Sequence, residues 1–424
     1  MSTRKRTTVR DVMAVRELLV RASACAGTLA LGVGVVAGST AAVAAPVTAA
    51  APPSAWGGHF PVDQNAAVNG ITAVSCATTT FCMAVDGAGR AMSFTGSGWS
   101  KPKSIDADST GFTGLSCRSM TFCIATDTNG FATVWDGKRW SAPRQIDPTQ
   151  VEGQLQLYVS CPAAKFCAAA DSSGYVLTSQ GSSWKRHLIE DKFGNAVSFT
   201  GISCSSSSFC AAVTNDGEAV TMDGGTWSKV TQTSAEILNA VSCVSAEFCV
   251  AVGDGALTYE GKSWSPHQDI SPVQLGSVSC VSTKDCVAGD ELGSEYRWNG
   301  RWAAGKSLSP DDSLNAISCR TSSFCAVVTA NGNAVFYDVE PYLSTSSLPA
   351  ATVGRSYSVA LKAVGGVKPY SLRSVKGMPA GLAVSRTGLI AGKPSKAGKY
   401  EVTFAVGDPL HISSTRVLEL TVAK

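Results

Sequence analysis

The residues best suited to chemistry in this chain are its cysteines. There are 15. Setting Cys25 apart, the remaining fourteen fall into Cys-x5-Cys pairs. These are Cys76 with Cys82, Cys117 with Cys123, Cys161 with Cys167, Cys204 with Cys210, Cys243 with Cys249, Cys280 with Cys286 and Cys319 with Cys325. Paired thiols either hold zinc or oxidise to disulfides. Zinc usually takes four ligands at shorter spacings, which seven two-ligand clips do not provide. An even, regularly spaced set is the pattern of a disulfide framework in an oxidising compartment. Two cysteines facing each other across a hairpin satisfy disulfide geometry. Each such short loop stabilises the fold by about 2 kcal/mol in the chain-entropy picture.

Other reactive groups are less organised. His59, His187, His267 and His411 lie far apart, and no His/Ser/Asp set recurs with useful spacing, so general acid–base chemistry lacks support. Asp86, Asp127, Asp171 and Asp290 share one slot of a repeat, but Thr214, Gly253 and Thr329 take the same slot. That substitution pattern reads as turn chemistry rather than a ring of ligands. No metal or cofactor is implied. The residues that break the repeat are therefore the candidate ligand-binding set. They are Arg144 and Tyr158 in the long stretch Ser141 to Ser160, Arg186 and His187 in the next, and Asp290 with Glu291 in the sixth unit. In that unit Asp285 replaces a phenylalanine, and Glu295 completes a local acidic cluster. No residue is assigned a catalytic role.

The elements that must carry these residues are written seven times. The unit from Leu115 to Ser141 is typical: Ser116-Cys117, Phe122-Cys123, Asp127, Gly130, Asp136-Gly137, Trp140. Successive first cysteines lie 41, 44, 43, 39, 37 and 39 residues apart by subtraction. A period near 40 suits a propeller blade or a two-helix repeat. The wealth of Val, Phe, Trp, Thr and Ser between frequent glycines selects strands. Each unit resolves into four, a to d, with a type I turn signal between b and c and a tight hairpin signal before d. Seven tryptophans stand in register at strand d: Trp56, Trp99, Trp140, Trp184, Trp227, Trp264 and Trp302. Trp56 precedes every cysteine pair, and the last unit has no tryptophan of its own. The start of the domain thus supplies strand d of the last blade, which closes the ring and leaves no long open sheet edge. In-register tryptophans on outer strands are read as packing between blades rather than as sugar platforms.

Residues 1–44 read as a signal peptide: a basic start, an uncharged run, and Ala42-Val43-Ala44 as the cleavage pattern. Cleavage there leaves no stable membrane insertion. The whole chain has a net charge of +3; residues 1–44 carry six basic and two acidic groups, so residues 45–424 sum to 3 − 4 = −1. No basic stripe for nucleic acid remains. Residues 45–54 read as a disordered linker, 55–338 as a seven-bladed β-propeller, 339–350 as a second linker and 351–424 as a β-sandwich. The last carries no cysteine and its own strand pattern, so it is expected to be dispensable for folding of the propeller.

The C-terminal segment resembles the immunoglobulin-like (cadherin-like) modules of bacterial surface and secreted proteins. The matching residues are Gly354-x-x-Tyr357, Gly365-Gly366-x-x-Pro369-Tyr370, Pro379-x-Gly381-Leu382, Thr387-Gly388-x-Ile390-x-Gly392-x-Pro394 and Ala397-Gly398-x-Tyr400. The resemblance implies a spacer or adhesive role. Calcium-binding relatives use clustered carboxylates, and here Asp408 stands alone in that region. The repeats resemble the Ser-Cys/Phe-Cys propeller repeats of secreted actinobacterial proteins, some of them grouped with sialidases by fold. A sialidase needs an arginine cluster, a tyrosine nucleophile and acidic partners. The arginines here, among them Arg90, Arg118, Arg139, Arg297, Arg301 and Arg320, are scattered along the sequence. The reading is an all-β, secreted or cell-wall-associated binding protein, monomeric and without cofactor. It is expected to recognise an extracellular glycan or protein on the propeller face. The alternative is a sialidase-like glycoside hydrolase, favoured by an acidic pair in the channel beside an arginine cluster.

Overall fold

The computed structural model describes residues 54–63, 70–96, 98–108, 111–148 and 155–424. The expected signal peptide and most of the first linker lie outside them. All regular structure among these residues is β, and none of them forms a helix long and apolar enough to cross a membrane.

Strands from Ile71–Thr78 through Asn333–Val339 pair into seven antiparallel sheets, numbered here in chain order. Strand a of each sheet is the innermost: Ile71–Thr78, Phe112–Ser119, Leu157–Ala163, Phe199–Cys204, Leu238–Ser245, Leu275–Ser282 and Leu314–Thr321.

Each sheet contains the disulfide expected of it, joining strand a to strand b. Cys76 is bonded to Cys82, Cys117 to Cys123, Cys161 to Cys167 and Cys204 to Cys210. Cys243 is bonded to Cys249, Cys280 to Cys286 and Cys319 to Cys325. The Cα–Cα distances are 3.9–4.2 Å, as for residues directly opposed across a hairpin. The second cysteine of each pair is the more deeply buried, because it opens strand b. Cys82, Cys210, Cys249 and Cys286 have no exposed surface, and Cys167 and Cys325 have almost none. Strand b as a whole is almost fully buried, as in the six buried residues of Phe81–Asp86. It fills the sheet stack, which is why it reads as an unbroken apolar run.

The serine of each Ser-Cys pair has a role that composition alone does not suggest. Its Oγ accepts a hydrogen bond from the backbone N–H of the first cysteine in the next sheet. The bonds run from Cys117 to Ser75, Cys161 to Ser116, Cys204 to Ser160, Cys243 to Ser203, Cys280 to Ser242 and Cys319 to Ser279, all at 2.9–3.0 Å. Cys76 to Ser318, at 2.9 Å, returns the series to its start. Each bond contributes roughly 1 kcal/mol net. Together they join every neighbouring pair of sheets around one closed circuit.

The residues before the first cysteine pair close the ring as expected. Ser54–Trp56 and Phe60–Pro61 pair with Asn333–Val339, with Trp56 opposite Tyr337 and Phe60 opposite Ala334. Other tryptophans occupy the matching register, Trp99 against Phe94, Trp140 against Trp135 and Trp264 against Tyr259 among them. All seven pack into apolar clusters at the edges of their sheets, in line with packing rather than display.

The C-terminal residues form a two-sheet sandwich. One sheet orders Ala351–Thr352, Ser413–Ala423, Gly398–Gly407 and Ser371–Lys376; the other Tyr357–Ala360, Leu389–Gly392 and Leu382–Val384. Phe404, Ile390 and Leu420 centre its core. One expectation needs correction. Tyr342–Leu343, read as linker, pairs with Ala363–Val364, and Leu343 is buried in the sandwich core. The sandwich also packs against the ring. Val367, Leu410 and Ile412 share one buried cluster with Val62 and Phe336 of the ring, and Phe60 packs against it. The rings of Phe60 and His411 stack at 4.4 Å. Asp408 builds the contacting turn by accepting from the amides of Val367, Leu410 and Ile412. A lack of cysteine signals a separate module but says nothing about an apolar turn docked on its neighbour.

Candidate functional site

Seven inner strands line a central cavity at each of their ends. The strand starts form one mouth, the Ser-Cys ends the other. At the first mouth, a cavity of about 190 Å³ is lined by Thr72, Thr113, Tyr158, Thr200, Asn239 and Asn315 with glycines between. Most of these side chains are committed to the wall. Thr113, Thr200, Asn239 and Asn315 donate to carbonyls of the next sheet, at Leu157, Leu238, Leu275 and Ile71. Tyr158 occupies the equivalent position in sheet three, and burial pushes its phenol pKa up.

The second mouth is chemically different. A cavity of about 340 Å³ is lined by first cysteines and by the residue after each: Ala77, Arg118, Pro162, Ser205, Val244, Val281 and Arg320. Only Arg118 and Arg320 are charged. Two arginines separated by about half the chain thus share one rim. Arg118 Nε donates to the Pro162 carbonyl at 2.8 Å, which fixes its guanidinium across the rim. The sequence pattern holds the clue, since both arginines directly follow the first cysteine of a pair and so occupy one register of the repeat.

The six sequence-derived candidates do not converge. Arg144 is exposed on the outermost strand of sheet two, Arg144–Gln145, whereas Tyr158 lines the first mouth. Arg186 lies on the outermost strand of sheet three. Its guanidinium sits 3.8 Å above the Tyr175 ring, and Nη2 is 3.1 Å from Asp147. The exposed His187 lines a separate outer groove with Lys192 and Trp227. Asp290 is buried and accepts from the amides of Leu292 and Ser294 and from the Tyr296 hydroxyl. It is the turn residue its slot implies. Asp86, Asp127 and Asp171 each accept two turn amides in the same way. Glu291 follows Asp290 on the surface.

The seam between sheets two and three holds a buried acidic contact. Asp147 and Asp171 are both fully buried. Burial, then the hydrogen bond to Asp147 and the repulsion from its charge, raises Asp171 from its ordinary 3.8 to about 7, against the pull of the Tyr175 and Ser173 amides. A carboxyl whose folded pKa is raised binds its proton more tightly folded than unfolded. Its contribution therefore falls as pH rises from about 4 to about 7. Asp171→Asn keeps an acceptor for the two amides and places a donor toward Asp147. This variant is expected to gain at least the ~1.4 kcal/mol of one pKa unit over wild type at pH 8 and little at pH 4. Urea melts at both pH values check this; equal differences at the two would refute it.

Comparison with known proteins follows this geometry. Residues 340–423 match the family described as Putative Ig domain. No curated protein matches the chain. Solved structures match the ring. YCF48 bound to D1 peptide aligns at TM-score 0.54 and 13% identity over 67% of this chain and 97% of that one. YCF48 from Cyanidioschyzon merolae aligns at 0.53 and 16%, over 67% and 98%. The WD40 β-propeller domain of Doa1 aligns at 0.57 and 9%, over 68% and 98%. The ring is a β-propeller. At these identities the likeness carries the fold alone, and the function of this propeller has to be argued from its own channel.

Proposed function

We propose that the chain is an exported, non-enzymatic binding protein whose propeller receives a peptide or protein segment at the Ser-Cys mouth of its channel. The observation that carries this reading is the lining of that mouth: apolar and small residues, two arginines, and, among the described residues, no carboxylate or histidine. Hydrolysis of a glycoside calls for a pair of acidic groups flanking the scissile bond, and among the described residues no Asp, Glu or His lines the first mouth either. A concave site with few polar groups suits recognition of a short segment. YCF48, a propeller of the same fold, has been captured with a peptide, which supports a peptide over a glycan. The seven disulfides fit an oxidising, extracytoplasmic setting, and residues 1–44 supply the expected export signal.

The test is a peptide display selection against the purified mature protein beside a glycan array and a fluorogenic sialoside assay. Enriched peptides should bind saturably and lose at least tenfold in affinity when Val244→Trp fills the mouth. Sialoside turnover, or glycan binding indifferent to Val244→Trp, would overturn the proposal.

A further inference from the structure

We infer that the Ser-Cys mouth selects an oxyanion, and that Arg118 and Arg320 are the residues that hold it; this rests on the peptide-binding reading above and gives its ligand a chemistry. The seven positions after the first cysteine of each pair form one ring around the mouth. Five are uncharged. The two arginines come from sheets two and seven, which flank sheet one. Sheet one lies between their strands and contributes the small, buried Ala77 there; the Arg118 guanidinium turns the other way, onto sheet three, so the two arginines meet a ligand from different sides of one cavity. Both arginines are solvent-exposed, and Arg118 is braced by the Pro162 carbonyl. A guanidinium held this way keeps donors for a carboxylate or phosphate, which it matches in fork geometry.

The loops beside the ring add to the field. Between the paired cysteines they carry Lys165 and Lys284 against Glu247 and Asp285. With the two arginines the rim sums to 4 − 2 = +2, on a chain whose residues 45–424 sum to −1. Burial raises the pKa of Asp285, and neither acid lines the cavity. A concentration of one sign at a channel mouth with low-dielectric walls focuses field lines and draws in counter-charge. The apolar members of the ring, Ala77, Pro162, Val244 and Val281, suit a ligand with apolar groups behind its charge. A peptide ending in small apolar residues and a free C-terminal carboxylate meets both demands. A phosphate group on a ligand would meet the arginines alone.

The experiment uses the mature full chain and three probes: fluorescein-labelled Gly-Ala-Val-Val with a free C-terminus, the same peptide amidated, and inorganic phosphate as competitor. Anisotropy should show the carboxylate form binding at least tenfold tighter than the amide. The double variant Arg118→Gln/Arg320→Gln should erase that preference, each single variant should reduce it, and Arg355→Gln in the sandwich should leave it unchanged. Thermal melts of the variants check that they stay folded. Displacement by phosphate, lost in the double variant, supports the anion site and assigns a phosphate-type ligand. Equal binding of the two peptides, both sensitive to Val244→Trp, would overturn the anion site while leaving peptide binding intact. Phosphate bound at the arginines with neither peptide held would support the anion site and overturn peptide binding. No binding of any probe overturns the inference.

Discussion

A chain beginning at Pro61 is expected to melt far below the mature protein and to elute from size exclusion as associated species. The missing segment supplies the outer strand of sheet seven, whose partner strand is Asn333–Val339. It also supplies Phe60, packed on Phe336 at 5.7 Å between ring centroids. Without it, one strand edge and part of an apolar cluster face solvent, and open edges pair with other chains. Trp56→Ala isolates one part of the effect. Trp56 is half-buried, touches Tyr337 at 5.3 Å and donates from Nε1 to Glu295 at 3.1 Å. Its loss leaves the buried Glu295 to its ion pair with Arg297. The expected cost is about 3 kcal/mol, at the low end for a buried aromatic because the ring is only partly covered. The deletion should cost more. Wild-type melting by a monomeric deletion variant would show that the ring closes by some other contact.

The second large effect concerns the sandwich. A chain ending at Asp338 is expected to fold into a propeller that melts several degrees lower than the full chain, contrary to what a modular reading of the sequence predicts. Truncation uncovers the cluster where Val367, Leu410 and Ile412 cover Val62 and Phe336. Leu410 has no exposed surface, so Leu410→Ala should cost about 2–4 kcal/mol by itself. Gly57 offers an independent probe from the other side. A Cβ there would collide with the Leu410 carbonyl oxygen, so Gly57→Ala should destabilise the full chain but not the truncated one. Calorimetry of the wild type, the truncated chain and the two variants checks this. If truncation leaves the propeller transition unmoved, the docking contributes nothing to closure.

The architecture was legible in the sequence because the repeat encodes its own geometry. Cys-x5-Cys spans a hairpin, so Cys82, Cys167, Cys210, Cys249, Cys286 and Cys325 each find the partner that their spacing names, as Cys123 does. The Asp-to-Gly spacing spells a turn, and the stray Trp56 marks the closing strand. The site was less legible. Departures from the repeat point to Arg186 and Asp290, yet Arg186 pairs with Asp147 and Asp290 serves its turn. Linear distance hides that Arg118 and Arg320 line one cavity, since residues that occupy one register of a ring share a mouth only when the ring closes. Glu295 stands near Asp290 and Glu291 in sequence, as if part of an acidic cluster. It is instead the acceptor for the closing tryptophan, a role that depends on sheet six sitting beside the N-terminal strand. The docked turn at Leu410 was invisible for the same reason: burial between two sequence-distant elements leaves no local pattern.

The closing strand also decides how the molecule carries force. Ser54 lies opposite Val339 and Trp56 opposite Tyr337, so the chain enters and leaves the ring side by side at the same end of an antiparallel pair. Tension between an attachment before Ser54 and a load on the sandwich therefore peels that pair apart from its end, one hydrogen bond after another, instead of shearing all of them together. The other six sheets, stapled by their disulfides, lie off the load path. A pull between an attached N-terminus and an engaged sandwich would therefore load the docked turn at Leu410 together with this end of the pair.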